Sequence, residues 1–299
     1  MILNPIGRFG LIKNKSLGLF VSLLLMLTAA CSSEQLSGGP EYSGIIITTD
    51  IAVGENRIVF GVIDREGMPV PGPESEVAAY FLVPGEDKRE LKDSARATFT
   101  SWPTAGGVFS TNLALDTVGF YEIDINYNST DNIPIFAQAS FTVKEKTSTP
   151  SIGSAAPASV THTSKDAEEI SHITSSTYPD LDLYEFSIHE ALKLNKPLVV
   201  VFATPAFCAS ATCGPQVGEL TKVKESVGDR ANYIHIEVFE DPHLAEGRRP
   251  TSGLVAAVNQ WGLPTEPWTF IVDSQGLVQA KFEQFTTADE IVTRLLELL

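Results

Sequence analysis

The chain has 299 residues, of which 43% are hydrophobic and 19% are charged, as is ordinary for a globular protein. This length suits two domains better than one. The formal net charge of −16 argues against a surface that binds nucleic acid or an anionic membrane through charge, because both are themselves negative. We therefore expect no nucleic acid among the partners.

The start of the chain has the pattern of an export signal, predicted over residues 1–30. Arg8, Lys13 and Lys15 precede an apolar run that ends in small residues directly before Cys31. The run is shorter than the about 20 residues that a membrane-spanning helix usually needs. A basic start, an apolar stretch and small residues before a cleavage site predict that the residues after 31 are exported.

The junction Leu27-Thr-Ala-Ala-Cys31 resembles the lipobox of bacterial lipoproteins, although that family usually has Leu at the position of Thr28. The resemblance implies that Cys31 is lipidated and anchors the protein to the outer face of a bacterial membrane. A plain secretory signal and an uncleaved anchor are the alternatives, and each exports the same residues. Lipidation of Cys31 would leave Cys208 and Cys213 as an even pair in an oxidising compartment, where disulfides form.

Residues 44–145, after a predicted tether over 31–43, alternate with a period of two. In the segments 121–127 and 135–143, apolar residues stand at every second position. Several such short segments, separated by turn residues, are typical of an immunoglobulin-like β-sandwich. We therefore predict an all-β domain over 44–145.

Residues 146–182 are predominantly polar and predict a linker. The pattern from 183 to 299 is mixed α/β. Four helices are predicted: one over 187–194, one that begins directly after the two cysteines, one over 252–261 and one after Thr287. Strands are predicted over 197–202, 232–239, 268–272 and 277–282. The continuous apolar strand 197–202 is expected at a central position that is covered on both faces.

Four segments of this second half resemble thioredoxin and TlpA-like proteins. They are the lead-in Ile152–Pro157, the apolar strand and aromatic-Cys entry Phe202–Cys208, the Cys-Gly-Pro sequence at 213–215, and the proline segment Glu266–Asp273. The resemblance covers residues 150–299. It implies an α/β thioredoxin-like domain over 183–299 that exchanges disulfides with exported polypeptides or a membrane redox partner.

The same resemblance implies that Pro267 is a cis-proline that docks the substrate chain. No cofactor is expected. The fold class predicted for the whole chain is two domains, an all-β immunoglobulin-like sandwich followed by an α/β thioredoxin-like fold.

The spacing of the two cysteines departs from that family. It is Cys-x-x-x-x-Cys rather than Cys-x-x-Cys, and Gln216 stands where the second cysteine would be. Positions five apart in a continuous helix have Cα atoms about 8–9 Å apart, whereas a disulfide usually needs less than about 7 Å. A bonded pair therefore requires Cys208 in the loop before the helix and Cys213 in its first turn, where Pro215 is tolerated.

Three interpretations of this pair stay open. The pair cycles between dithiol and disulfide, or it is a permanent disulfide in a non-catalytic binding or assembly lipoprotein. In the third interpretation, which rests on a resemblance to the SCO copper-delivery family, Cys208, Cys213 and His235 bind copper. For the first, the helix dipole favours Cys213 as the attacking thiolate and exposure on a loop favours Cys208.

The remaining histidines give weaker signals. His235 and Glu237 share one face of a predicted strand, and such a pair is more often a hydrogen-bonded, partly buried detail of the fold. His162, His172 and His189 lack the spacing of metal ligands, so we expect no metal site from them.

Overall fold

Strands make up most of the regular structure of the chain. The structure is a computed structural model, and it describes residues 40–103, 106–245 and 247–299. The predicted export signal, Cys31 and most of the predicted tether lie outside these residues. The strands are β1 (Tyr42–Ile46), β2 (Gly54–Asp64), β3 (Glu74–Leu82), β4 (Arg89–Ser101), β5 (Gly107–Leu115), β6 (Gly119–Asn128), β7 (Pro134–Val143), β8 (Leu198–Phe202), β9 (Asn232–Ile236), β10 (Trp268–Val272) and β11 (Val278–Glu283). The helices are α1 (Ile188–Ala191), α2 (Cys213–Val227), α3 (Ala256–Gln260) and α4 (Ala288–Leu296).

Strands β1 to β7 form one antiparallel sheet with the order β1-β2-β5-β4-β3-β6-β7. The period-two pattern decides which face is buried, as predicted for β6. There Tyr121, Ile123 and Ile125 have no exposed surface, whereas Glu122 and Asp124 between them are partly exposed. Successive side chains of a strand point to opposite faces, so one face of the sheet forms the core.

The two edges of this sheet approach each other at Gly44. A Cβ atom on Gly44 would lie 2.8 Å from the Cβ atom of Ala139 in β7 and 2.9 Å from the carbonyl oxygen of Gln138. Only glycine allows β1 to lie this close to β7, because any side chain would meet backbone. The sheet is therefore nearly closed on itself.

Strands β8 to β11 form a second, smaller sheet with the order β11-β10-β8-β9. Strand β8 is parallel to β9 and antiparallel to β10, and β10 and β11 form a hairpin. Every residue of β8 is buried, because apolar clusters cover both faces. Leu220 and Ile291 from α2 and α4 belong to one cluster, and Trp261 and Phe270 belong to the other. The central, doubly covered position predicted for this strand is confirmed.

Two predicted helices are reduced to about one turn. The Ser187 side chain accepts the N–H of Glu190 in the predicted capping box, but α1 ends at Ala191. Helix α3 begins only at Ala256, because the N–H of Val255 donates to the carbonyl oxygen of Val238 at 3.0 Å. The residues before α3 are thus extended against the segment that follows β9.

The predicted fold class and the family identification behind it are wrong. The all-β character of residues 44–145 is confirmed, but their strands form one nearly closed sheet rather than two stacked sheets. Residues 183–299 add a small sheet and short helices, so the described chain is mostly β and not an α/β thioredoxin-like fold. The physical reason is that apolar period-two segments pair into sheets, whereas the helix signals over 187–194 and 252–261 yield single turns.

Buried polar contacts join the two sheets within the compact unit Pro40–Leu299. Glu283 at the end of β11 accepts the N–H of Thr49 at 2.7 Å and the N–H of Asp50 at 3.1 Å. Arg57 of β2 forms a bidentate pair with Glu290 of α4, with N–O distances of 2.6 and 2.8 Å. The domain boundaries predicted from the sequence stay predictions.

The segment predicted as a linker packs against these elements, since Thr149, Thr161 and Ile173 are all buried. In the described part of the chain, no helix has the length and apolar character needed to cross a membrane.

Candidate functional site

Cys208 and Cys213 are joined by a disulfide, with their Cα atoms 5.9 Å apart. Cys213 is the first residue of α2, and Cys208 lies in the turn before it. Pro215 occupies the first turn of the helix, where its missing N–H has no helical partner to lose. The predicted pairing and placement are confirmed, because the chain leaves the helical path between the two cysteines.

The two sulfur atoms differ in accessibility. Cys213 has no exposed surface and belongs to the apolar cluster under α2, whereas Cys208 is only partly buried. The Cys208 Sγ atom lies 3.3 Å from the Ser210 hydroxyl, which is itself 2.7 Å from the Thr212 hydroxyl. Cys208 therefore has a polar neighbour and partial access to solvent while it also packs against the apolar cluster, whereas Cys213 lies within that cluster at the positive end of a helix.

The structure brings Glu266 to this disulfide from a distant part of the sequence. A carboxylate oxygen of Glu266 and the two Sγ atoms all lie within 4.8 Å of one another. Glu266 precedes Pro267, and the peptide bond between them is cis. Pro267 is buried and its carbonyl oxygen accepts the N–H of Gln284 at 2.9 Å. The group that faces the sulfurs is therefore the carboxyl of Glu266.

Burial raises the pKa of Glu266 to about 7. The nearby charge of Glu237 also raises it, while the N–H of Thr204, which donates to Oε2 at 2.8 Å, and the charge of Arg249 lower it. Burial likewise raises the pKa of Glu237, whose carboxylate accepts the N–H and the hydroxyl of Ser175 at 2.8 and 2.7 Å. The partly buried carboxyl of Glu266 thus lies beside the disulfide, and its charge interacts with that of the buried Glu237.

Both ring nitrogens of His235, the predicted copper ligand, are hydrogen-bonded to other groups. Its Nδ1 atom lies 2.6 Å from the Tyr184 hydroxyl and its Nε2 atom lies 3.0 Å from the carbonyl oxygen of Ala203. Burial lowers the pKa of His235 to about 4, so the ring is neutral near pH 7. Among the described residues, the possible metal ligand that lies close to both sulfurs is Glu266 and not His235.

Three other histidines gather at one place that their sequence positions do not reveal. The rings of His172 and His243 stack with centroids 4.1 Å apart, and His162 Nε2 lies 3.6 Å from a carboxylate oxygen of Glu240. A cavity of about 180 Å³ is lined by His162, His172 and Glu237 among others. The position of Glu266 directly before Pro267 is the sequence feature that could have identified it as a site residue. No feature of the sequence indicated that these histidines lie together.

A disulfide of this kind is typical of proteins in oxidising, extracytoplasmic compartments. Comparisons with known proteins add no family: no family model and no curated protein matches the chain.

Some solved structures are similar to part of the chain. One is CopC from Methylosinus trichosporium OB3b, at 12% identity and a TM-score of 0.23, covering 34% of this chain and 93% of that one. Another is a superoxide reductase (neelaredoxin) from Ignicoccus hospitalis, at 14% identity and a TM-score of 0.21, covering 38% of this chain and 87% of that one. A hypothetical protein from Pyrococcus horikoshii OT3 has 13% identity and a TM-score of 0.23, covering 36% and 94% of the two chains. TM-scores this low carry neither a fold nor a function over to this chain.

Proposed function

We propose that the protein exchanges disulfides with exported polypeptides through Cys208 and Cys213. The observation that carries the proposal is the unequal accessibility of the two sulfurs: Cys208 is partly exposed in a polar turn and Cys213 is fully buried. An exchange catalyst needs one sulfur that a partner can reach and a second sulfur that only the first can reach.

The exchange proceeds in two balanced steps. A partner thiolate attacks Cys208 Sγ, the bond to Cys213 breaks, and Cys213 leaves with the electron pair as a thiolate that then takes a proton. A second thiolate of the partner attacks the partner's own sulfur in the mixed disulfide and releases Cys208. The partner dithiol is thereby oxidised by two electrons, and the Cys208–Cys213 pair is reduced; the reverse sequence reduces a partner disulfide.

The position of Cys213 at the start of α2 supports its role as the leaving sulfur. The N-terminus of a helix carries partial positive charge, which stabilises a thiolate. We propose Cys208 as the attacking cysteine of the reduced protein, because it is the more exposed of the two cysteines and a partner disulfide can meet it. The segment around Glu266 and Pro267 lies next to the sulfurs and is the proposed docking place for the partner chain.

The test is to trap mixed disulfides with two matched variants. In Cys213→Ser, the accessible Cys208 thiol remains and should hold partner polypeptides as stable mixed disulfides. In Cys208→Ser, the remaining thiol is buried and should trap none. Equal trapping by both variants would contradict the assignment of Cys208.

The reduction potential of the pair separates exchange from a structural disulfide. A potential between about −120 and −270 mV is expected for an exchange catalyst. A potential below about −300 mV together with no trapping would favour the alternative, a binding or assembly protein whose disulfide is permanent.

We further propose that lipidation of Cys31 anchors the protein at the membrane and holds the exchange site near exported chains. The support is the sequence before Cys31, with its basic start, apolar run and small residues. Labelling with radioactive palmitate should mark the wild-type protein and not the Cys31→Ser variant. Continued labelling of that variant would refute the anchor.

A further inference from the structure

We infer that the reduced Cys208–Cys213 pair and Glu266 together form a binding site for a thiophilic divalent metal ion, of which Zn²⁺ is the type. The inference rests on one part of the proposed function, namely that the disulfide can be reduced in the folded protein. It goes beyond that function because it assigns a ligand to the reduced state.

The three donor atoms lie close enough together to surround one ion once the disulfide is opened. The two Sγ atoms and a carboxylate oxygen of Glu266 are within 4.8 Å of one another. A tetrahedral Zn²⁺ ion has bonds of about 2.3 Å to thiolate and about 2.0–2.2 Å to carboxylate, so its ligand atoms are separated by about 3–4 Å. Opening the disulfide and small side-chain rotations are enough to place all three donors around one ion.

The surrounding structure holds these donor groups in place and leaves each of them able to bind an ion. Cys213 is held at the start of α2, and the Cα atoms of the two cysteines are 5.9 Å apart, which keeps the sulfurs together after reduction. The Oε2 atom of Glu266 accepts the N–H of Thr204 at 2.8 Å. This hydrogen bond orients the carboxylate and leaves its second oxygen for the ion, in the way that outer partners orient metal ligands.

The donor set selects the class of metal. Two thiolates exclude Mg²⁺ and Ca²⁺, which prefer oxygen ligands. Cu(I) is bound well by thiolates alone and gains little from a carboxylate, whereas Zn²⁺ accepts both kinds of ligand. Because Cys208 is partly exposed, the fourth position faces solvent and takes water or an external ligand.

Reduction of the disulfide and binding of the ion together conserve electrons and protons. A dithiol gives two electrons and two protons to the disulfide and becomes a disulfide itself. The ion then displaces the two thiol protons, and the carboxyl proton when one is present, and forms two metal–sulfur bonds and one metal–oxygen bond. The oxidised protein offers no thiolate and should bind no ion at this place.

The experiment uses the full-length protein and Co²⁺ as a spectroscopic probe. The protein is reduced with a phosphine, desalted without oxygen, and its free thiols are counted before Co²⁺ is added. We expect one equivalent of Co²⁺ to give thiolate-to-metal charge-transfer bands and the intense visible bands of a tetrahedral site, and Zn²⁺ to displace it. The oxidised protein should give neither set of bands.

Three variants identify the ligands. Glu266→Gln should weaken the binding of Co²⁺ by about tenfold or more. Cys208→Ser removes one of the two thiolate ligands and should lower the intensity of the charge-transfer bands by about half or more. Glu225→Gln is the matched control, since it makes the same substitution at an exposed acid of α2 that lies outside the group of three donors. It should leave the affinity for Co²⁺ unchanged.

Each failure has a separate meaning. Two free thiols without cobalt bands would overturn the metal site and leave the proposed exchange intact. Cobalt or Cu(I) binding that is equally tight in Glu266→Gln would overturn the three-donor site in favour of a thiolate-only one. Absence of free thiols after reduction of the folded protein would overturn both this inference and the proposed exchange.

Discussion

Asp50 offers a direct test of how the segment before β2 is held to the residues that follow β7. Its side chain has no exposed surface, and its carboxylate accepts hydrogen bonds from Lys144 at 2.7 Å, from the N–H of Ser148 at 2.9 Å and from the N–H of Thr149 at 3.0 Å. Burial alone would raise the pKa of this carboxyl, but the Lys144 ammonium and the donors of Ser148 and Thr149 outweigh it and lower the pKa to about 2. The ionised carboxylate therefore stabilises the folded state.

The magnitude follows from the difference between the folded and unfolded pKa values. A shift from 3.8 to about 2 corresponds to about 2 kcal/mol of stability, because one pKa unit is about 1.4 kcal/mol. Since the folded pKa is the lower one, this stability is fully present above pH 3.8 and is lost as the pH falls through about 2. Asp50→Asn should remove it at every pH.

The assay is urea-induced unfolding of wild type and Asp50→Asn at pH 7 and at several values down to pH 2. At pH 7 the variant should be less stable by about 2 kcal/mol, and the difference between the two proteins should shrink as the pH falls from 4 to 2. Comparing the two proteins isolates Asp50, because they share all other titrating groups. A constant difference across this range, or none at pH 7, would refute the reasoning. Asp87→Asn, which changes an exposed acid, is the control and should behave as wild type does.

Two further predictions test the close contact between β1 and β7 and the ion pair between β2 and α4. Gly44→Ala should lower the free energy of unfolding by about 1–3 kcal/mol, because the new methyl group would lie 2.8 Å from Ala139 Cβ. Gly61→Ala in β2 is its control, with no atom within 4 Å of the new methyl group, and equal urea midpoints for the two variants would contradict the close contact. For Arg57 and Glu290, whose side chains are 13% and 35% exposed, a double-mutant cycle with Arg57→Ala and Glu290→Gln should give a coupling of about 1 kcal/mol. A coupling of zero would show that the pair adds nothing to stability.

Local patterns predicted those parts of the fold that local chemistry decides. The apolar alternation in β6 and the continuous apolar run of β8 gave the correct burial, because side-chain direction in a strand depends on neighbouring positions alone. The spacing of Val217, Leu220 and Val223 in the sequence predicted that they share one face of a helix. All three are buried on the inner face of α2. The position of Cys208 in the loop before α2 was predicted in the same way, as the condition that helix geometry sets for a bonded pair five positions apart.

Contacts between distant segments were not predictable from the same patterns. The closure of the first sheet depends on the approach of Gly44 to Ala139, and the candidate site depends on the approach of Glu266 to Cys208. No periodicity encodes either approach. The short helix α3 has a related cause, since the residues before it hydrogen-bond as a strand to Val238 although their apolar spacing fits a helix. Tertiary hydrogen bonds overrode a local preference there.

Gln216 occupies the position at which a second cysteine would stand in a Cys-x-x-Cys pair with Cys213. The side chain is completely buried, its Nε2 atom donates to the Thr269 hydroxyl at 3.1 Å, and its Oε1 atom accepts the N–H of Thr286 at 2.8 Å. These two bonds tie α2 to β10 and to the loop before α4, so a cysteine at this position would leave a buried N–H without a partner. That position is taken by a structural amide, and the cysteine that pairs with Cys213 stands in the preceding turn. Cys208 in that turn is partly exposed and lies beside Glu266, and this arrangement gives the pair both its accessible sulfur and its carboxylate neighbour.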